Sequence, residues 1–187
     1  MSTNIIEGNP TKKFFIEMIT RDISIEDAII DLLDNSIDGD TQINPNDLSD
    51  FVINIKIDAN KLSIKDNCGG FSLDSAQRYA FRFGRPEDAP TIKNSVGRFG
   101  IGMKRALFKM GKKFSVESQK DLEHFLVNVN VDEWCDKVKQ VNTLDGKTVE
   151  IDDWTFESMT IDDRNSEDGT TIVVTDLKED VKALFGN

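Results

Sequence analysis

The sequence predicts an α+β domain with helices on one face of a mixed, mainly antiparallel sheet. Apolar residues recur at helical spacing through the first part of the chain and alternate with polar residues through most of the remainder. Turn-forming pairs such as Asp145-Gly146 and Asp168-Gly169 punctuate the alternating runs. Helices lead and strands trail, an order that suits two packed layers rather than a wound parallel sheet. At 187 residues and 38% hydrophobic content, one domain spanning 1–187 can bury a real core.

The elements follow in order. Phe14, Phe15, Met18 and Ile19 make one apolar face over Pro10 to Arg21 and predict a first short helix. Ser24 with Asp27 three residues on is a capping-box variant. It opens a second helix, carried by Ile25, Ala28, Ile29, Leu32 and Leu33 to about Asp38, before Gly39. Residues 40–50 read as a loop, and 51–58 with 61–66 read as a hairpin. Ser72 can cap a third helix through about Phe81, and a Gly- and Pro-containing loop occupies 83–95. The glycines of Val96 to Gly102 open a helix that Gly111 can end. Strand character then returns at 112–118, 124–131, Trp134 to Val141, about Thr148 to Met159, and 170–177, so that the chain is expected to end in sheet.

The formal charge of -11 argues against a surface built as a whole to grip nucleic acid or an anionic membrane. There is no run of 18 apolar residues, and the start MSTNIIEGNP has neither a basic nor an apolar leader region. Cys68 and Cys135 are too few for a disulfide framework, and with His124 as the only histidine they supply no zinc spacing. The expectation is a soluble, unexported chain in a reducing cytoplasm. Its charge is unevenly spread: residues 82–113 hold nine basic against two acidic residues, a local +7 on an acidic body. Such a segment suits a small polyanion, although charged helix faces are often simply solvated.

Three constellations carry chemistry. Asp31, Asn35 and Asp38 are spaced i, i+4, i+7 and fall within about 60° of one another on the second helix. The Asn35 amide oxygen is a hard ligand of the kind Mg²⁺ accepts alongside phosphates, and a carboxylate one turn away can orient a water. Asp66 ends a strand just before Gly69, Gly70 and Phe71, where a carboxylate can accept from an exocyclic amino group while glycine lets a flat base approach; Asp-Asn-x-Gly is also a common turn. Gly97, Arg98, Phe99, Gly100, Ile101 and Gly102 lead into a helix with Lys104 and Arg105 in its first turns. Cations there oppose the helix dipole unless an anion occupies the N-terminus. The run is neither a Walker loop nor a dinucleotide fingerprint.

DLLDN on a helix, DNCGGF after a strand, GRFGIG before a helix and DGTTIVV entering a late strand, in that order, resemble the GHKL superfamily. Its members include DNA gyrase B subunits, heat-shock-90 chaperones, histidine kinases and MutL, together with the MORC ATPases, and the resemblance covers roughly Lys12 to Leu177. It implies the Bergerat fold, a two-layer α/β sandwich binding ATP between helices and sheet. By position, Asn35 resembles the magnesium ligand, Asp66 the adenine-reading carboxylate, and Gly70 and Phe71 the residues against the base. Residues 97–102 resemble the phosphate loop, 83–96 the ATP lid, and Thr170 the threonine supporting the adenine network. Asp31 stands where the ATPase branches place a water-activating glutamate, one methylene longer, and Cys68 stands at the first glycine of the box. DNSID and GRFGIGMK look closest to the gyrase, chaperone, MutL and MORC branches, whose modules close a lid and dimerise on binding ATP. This chain stops where such a module ends.

The resemblance implies Mg-ATP binding with slow hydrolysis to ADP, coupled to lid closure and to an ATP-dependent homodimer, a downstream domain or a protein client. The alternatives are a non-hydrolysing nucleotide sensor that assembles a partner, and, with less support from the net charge, a module contacting DNA through residues 82–113.

Overall fold

The structure, a computed structural model, describes residues 6, 8–43, 49–84, 86, 101–143, 146–164 and 166–186. Helix α1 (Lys12–Thr20) starts at Thr11, whose hydroxyl accepts the Phe14 N–H at 3.3 Å, and α2 (Ile25–Ile43) starts at Ser24, whose hydroxyl accepts the Asp27 N–H at 3.0 Å. These caps satisfy amides that have no partner within the helix. Helix α2 runs past Gly39, where the sequence predicts its end; a glycine inside a helix costs only about 1 kcal/mol relative to alanine.

Strands β1 (Ile53–Ile57) and β2 (Lys61–Asp66) form the expected hairpin, closed by Asp58, whose carboxylate accepts the N–H groups of Asn60 and Lys61. Helix α3 (Leu73–Ser75), capped by Ser72, continues as a π-helical turn over Ala76–Ala80. After it come α4 (Gly102–Met110), β3 (Gly111–Lys120), β4 (Glu123–Asn130), α5 (Val131–Asp136), β5 (Val138–Asn142), β6 (Thr148–Asp152), β7 (Ser158–Thr160), β8 (Gly169–Leu177) and α6 (Glu179–Phe185).

The main sheet has the order β1-β2-β8-β3-β4-β7, and every pairing among its described strands is antiparallel. Register sets its inner face in rows. Leu62, Val174, Phe114 and Val129 lie side by side; Ile64, Ile172, Val116 and Val127 form the next row, all buried under the helices. Ala28, Leu32 and Ser36 of α2 and Ala106, Leu107 and Met110 of α4 press onto that face. Each fully buried leucine or valine contributes about 1.5–3 kcal/mol of transfer free energy. The result is the two-layer sandwich expected from the sequence.

Several expectations are corrected. The segment Trp134 to Val141 is not one strand: Asn130 accepts the N–H groups of Asp132 and Glu133 and donates to the Glu133 carboxylate, so α5 carries Trp134 before β5 begins. Thr148 to Met159 splits into β6, which pairs with β5 as a separate two-stranded hairpin, and β7, which joins the main sheet. The chain ends in α6 rather than in sheet, with Val181 fully buried. The apolar face of α2 does not continue to Ile37, which is 41% exposed, and Ser36 takes the inward position.

Two features tie α1 and α5 to the rest. Lys12 is buried and its ammonium donates to the carbonyls of Trp134, Lys137 and Asp153 at 2.5, 2.5 and 3.0 Å, over the Trp134 ring. A cation there adds a donor to carbonyls at and beyond the end of α5 and ties them to α1. Phe83 sits among Phe15, Phe108, Trp134, Trp154 and Phe156, with ring centroids 5.0–6.2 Å from its own. Among the described residues, no helix is long and apolar enough to cross a membrane.

Candidate nucleotide site

The third inner row of the sheet is polar. Asp66 of β2, Thr170 of β8 and Ser118 of β3 stand where the rows above carry aliphatics, with Phe125 of β4 completing the row. Asp66 is 7% exposed. Its Oδ1 accepts the backbone N–H groups of Cys68 and Thr170, each at 3.0 Å, and its Oδ2 accepts the Ser36 hydroxyl at 2.6 Å. Strand β2, strand β8 and helix α2 thus converge on one carboxylate. A carboxylate offers about four lone-pair sites, so these three bonds leave room for one more donor. Burial is tolerated because both oxygens are hydrogen-bonded.

The glycines beside it are required by geometry. Gly70 has φ +55°, and a side chain there would lie 2.1 Å from the Gln119 carbonyl oxygen; Gly69 has φ +86°. Gly169 is excluded from carrying a side chain by the Asp66 carbonyl, 2.1 Å from where its Cβ would stand. Cys68, at the first glycine position of the box, is buried and adopts no left-handed backbone; the positive-φ non-glycine residues among those described are Asp121 and Asp176. A side chain is therefore compatible with that position. Phe71 is stapled to β3 through both its backbone groups: its N–H donates to the Ser118 hydroxyl at 2.8 Å, which donates in turn to its carbonyl at 3.1 Å. Its ring meets Phe125 edge-on at 5.5 Å.

Above this floor, α2 and α4 pack together and bring the second constellation to the start of α4. Asp31 lies against Gly102, whose open α-carbon faces the Asp31 carboxyl, and Arg105 pairs with Asp31 Oδ2 at 2.7 Å. Asn35 is exposed, and its amide N–H donates to the Asp31 carbonyl one turn back, leaving its side-chain oxygen turned to other uses. Asp38 is half-buried on the same stripe. Asp34, next to Asn35, has its carboxyl pushed above the ordinary carboxylate range by burial, and by the charges of Asp31 and Asp38. A cation brought to this stripe would relieve that repulsion.

Lys104, expected near phosphate, is buried, and its ammonium donates to the Ala80 carbonyl at 2.6 Å on the side of α4 that meets the π-helical turn. Burial pushes its pKa down to about 7. Thr170 reaches Asp66 through its backbone N–H. Ile101 and Gly102 form the start of α4, with no side-chain cap on its N-terminal amides. Gly97, Arg98, Phe99 and Gly100 lie outside the described residues, as do 85 and 87–96 of the expected lid; Phe83, at the lid's expected start, is packed in the aromatic cluster. The sequence marks neither Ser36 nor Ser118 as a site residue, and it marks Arg105 for an anion without its pairing to Asp31. Of the two serines, Ser36 alone leaves a trace, as a hydroxyl in the Ala28, Leu32, Ser36 ridge that otherwise reads as core.

The chain has no significant match among curated proteins. The family model described as histidine kinase-, DNA gyrase B-, and HSP90-like ATPase matches residues 23–171, well over half of the chain, from the cap of α2 to the start of β8. The match takes in Asp31, Asn35, Asp66, Gly70 and Thr170 together, so the chain belongs to this GHKL-type ATPase family, whose shared domain binds ATP.

Proposed function

We propose that this domain binds Mg-ATP with adenine on the Asp66 floor and the phosphates at the start of α4. The observation that carries the reading is the Asp66 carboxylate, held by Ser36, Cys68 and Thr170 with one acceptor position left, beside a Gly70 whose backbone admits no side chain of its own. Its free lone pair suits the adenine amino group, and Phe71 braces the loop beneath the base. The uncapped amides of α4 and the run Gly97 to Gly102 suit the phosphates. Lys104, fastened to Ala80, supports that helix end from beneath.

Magnesium fits the residues present: the Asn35 amide donates through nitrogen to its own helix, which leaves a hard oxygen for the metal, and Asp34 and Asp38 add negative charge nearby. A bound Mg²⁺ would neutralise charge developing on the phosphates. Asp31 would orient the attacking water, once freed from Arg105, and Arg105 would turn to the phosphates. Hydrolysis to ADP is then slow, because the carboxylate is short and must first give up a 2.7 Å ion pair. ATP binding would couple to closure of segment 83–96 and to homodimerisation or engagement of a downstream domain or client. The same ion pair favours a second reading, a non-hydrolysing nucleotide sensor whose Asp31 stays paired.

Calorimetric titration of ATP with and without Mg²⁺ tests the site, and steady-state phosphate release tests turnover. The proposal expects Mg²⁺-enhanced binding that is lost in Asn35→Ala, and release that is abolished by Asp31→Asn. Tight binding with no release in the wild type selects the sensor; no binding by either species of ATP refutes both.

A further inference from the structure

Away from Asp66, a cleft of about 590 Å³ opens between the α3–π turn and the segment that links β6 to β7. Val127 of β4 lines it together with Phe81, Phe83, Trp154 and Phe156, whose rings touch one another and form one aromatic patch. These four aromatics are only half-buried. Volume and lining match sites that take an apolar group, with a few polar groups to orient it. The cleft's polar lining is Gln77, Thr155 and Ser158 with two cations: Arg82 and Lys139 are exposed, and neither makes a side-chain hydrogen bond or ion pair with any described residue.

The surface continues beyond the cleft. Lys139 belongs to the β5–β6 hairpin, where register places it across from Ile151 and puts Val141 across from Val149 on the same face. Val141, Val149 and Ile151 are 38, 39 and 42% exposed. An isolated two-stranded hairpin is marginal in water, so an apolar face left uncovered on one is a cost that a partner can remove. A metabolite held in the cleft would leave this strip bare; a polypeptide would cover both. On a body of net charge -11, two unpaired cations beside an apolar cleft select for an acidic segment, which the rest of the surface repels.

We propose that the cleft and the adjoining hairpin face dock an acidic segment of a partner protein that carries a bulky apolar anchor. The anchor packs onto the half-buried ring cluster of Phe81, Phe83, Trp154 and Phe156, and flanking carboxylates meet Arg82 and Lys139. This surface is separate from the Asp66 site and does not depend on the nucleotide reading.

The test is selection from a phage-displayed library of random short peptides on the intact protein, followed by fluorescence anisotropy of the enriched peptides. The expected consensus is an aromatic or leucine anchor flanked by Asp or Glu. Affinity should fall about tenfold or more in Arg82→Glu/Lys139→Glu, whose exposed positions leave the fold intact, and should be unchanged in Asp66→Asn. A selection on the double variant should enrich basic flanks instead. The proposal is overturned by no enrichment, by a consensus without acids, by equal affinity for the double variant, or by indole-3-acetate displacing the peptide at equal concentration. Circular dichroism melting confirms that each variant is folded.

Discussion

Replacing Asp66 by Asn preserves the shape of the side chain and removes one acceptor, which separates its two roles. The amide oxygen can keep the N–H groups of Cys68 and Thr170, and the Ser36 hydroxyl can reverse and accept from the new NH₂. The fold then loses only the charge-assisted part of three bonds, about 1–2 kcal/mol in all. Binding is hit harder, because the group facing the adenine amine is now a donor. Losing a charge-assisted bond costs about 1.5–3 kcal/mol, and opposing two donors adds about 1–3 kcal/mol. Together they predict a loss of ATP affinity of roughly 10²- to 10⁴-fold. Calorimetric titration of Mg-ATP beside a thermal melt without nucleotide reads both quantities. A folded variant that binds ATP within about threefold of wild type would refute the adenine role of Asp66.

Other outcomes follow from the same contacts. Lys12→Met removes the ammonium from three backbone carbonyls, of which those of Trp134 and Lys137 keep a backbone N–H, and should cost about 2 kcal/mol in urea unfolding; a loss under about 0.5 kcal/mol would mean water replaces the ammonium. Gly70→Ala must relieve both φ +55° and a 2.1 Å approach to backbone, so we expect a drop in thermal midpoint together with loss of nucleotide binding, and an unchanged melt would contradict the geometry. At His124, burial lowers the pKa, but the Asp163 carbonyl on Nδ1 and the Glu117 carboxylate on Nε2 outweigh it, and the net direction is upward from 6.5. A raised folded-state value contributes its stability fully below 6.5 and loses it as pH rises through the folded pKa. The stability advantage of wild type over His124→Gln should accordingly shrink as pH is raised from 6.5, and a difference constant with pH would exclude the mechanism.

Periodicity made α1, α2, the first hairpin and the inner rows of β3, β4 and β8 legible, because core-facing residues repeat with the geometry of their element. It misread Trp134, whose apolar neighbours alternate like a strand while the Asn130 and Glu133 pair imposes a helix on them. Motif order picked out Asp31, Asn35 and Asp66, each of which carries a charge or amide at a telling position. Their partners were not legible. Ser36 and Asp66 are 30 residues apart, and Arg105 and Asp31 are 74 apart, and such pairings are set by how α2 lies on the sheet and on α4. The cleft was invisible for the same reason: its walls come from separate segments, and no local pattern marks where they meet.

Strand β8 is among the last elements in the chain, yet it lies between β2 and β3 in the middle of the sheet. During synthesis, every residue from Met1 to Asp168 emerges before the strand that joins the two halves. Until residues 169–177 arrive, β2 and β3 each present an unpaired edge, and Asp66 lacks the Thr170 amide. The nascent chain is therefore unable to complete the Asp66 hydrogen-bond set early, and its folding is governed by slow, non-local pairing. It is in this interval, with two apolar strand edges open, that the chain is most exposed to aggregation and most in need of a chaperone.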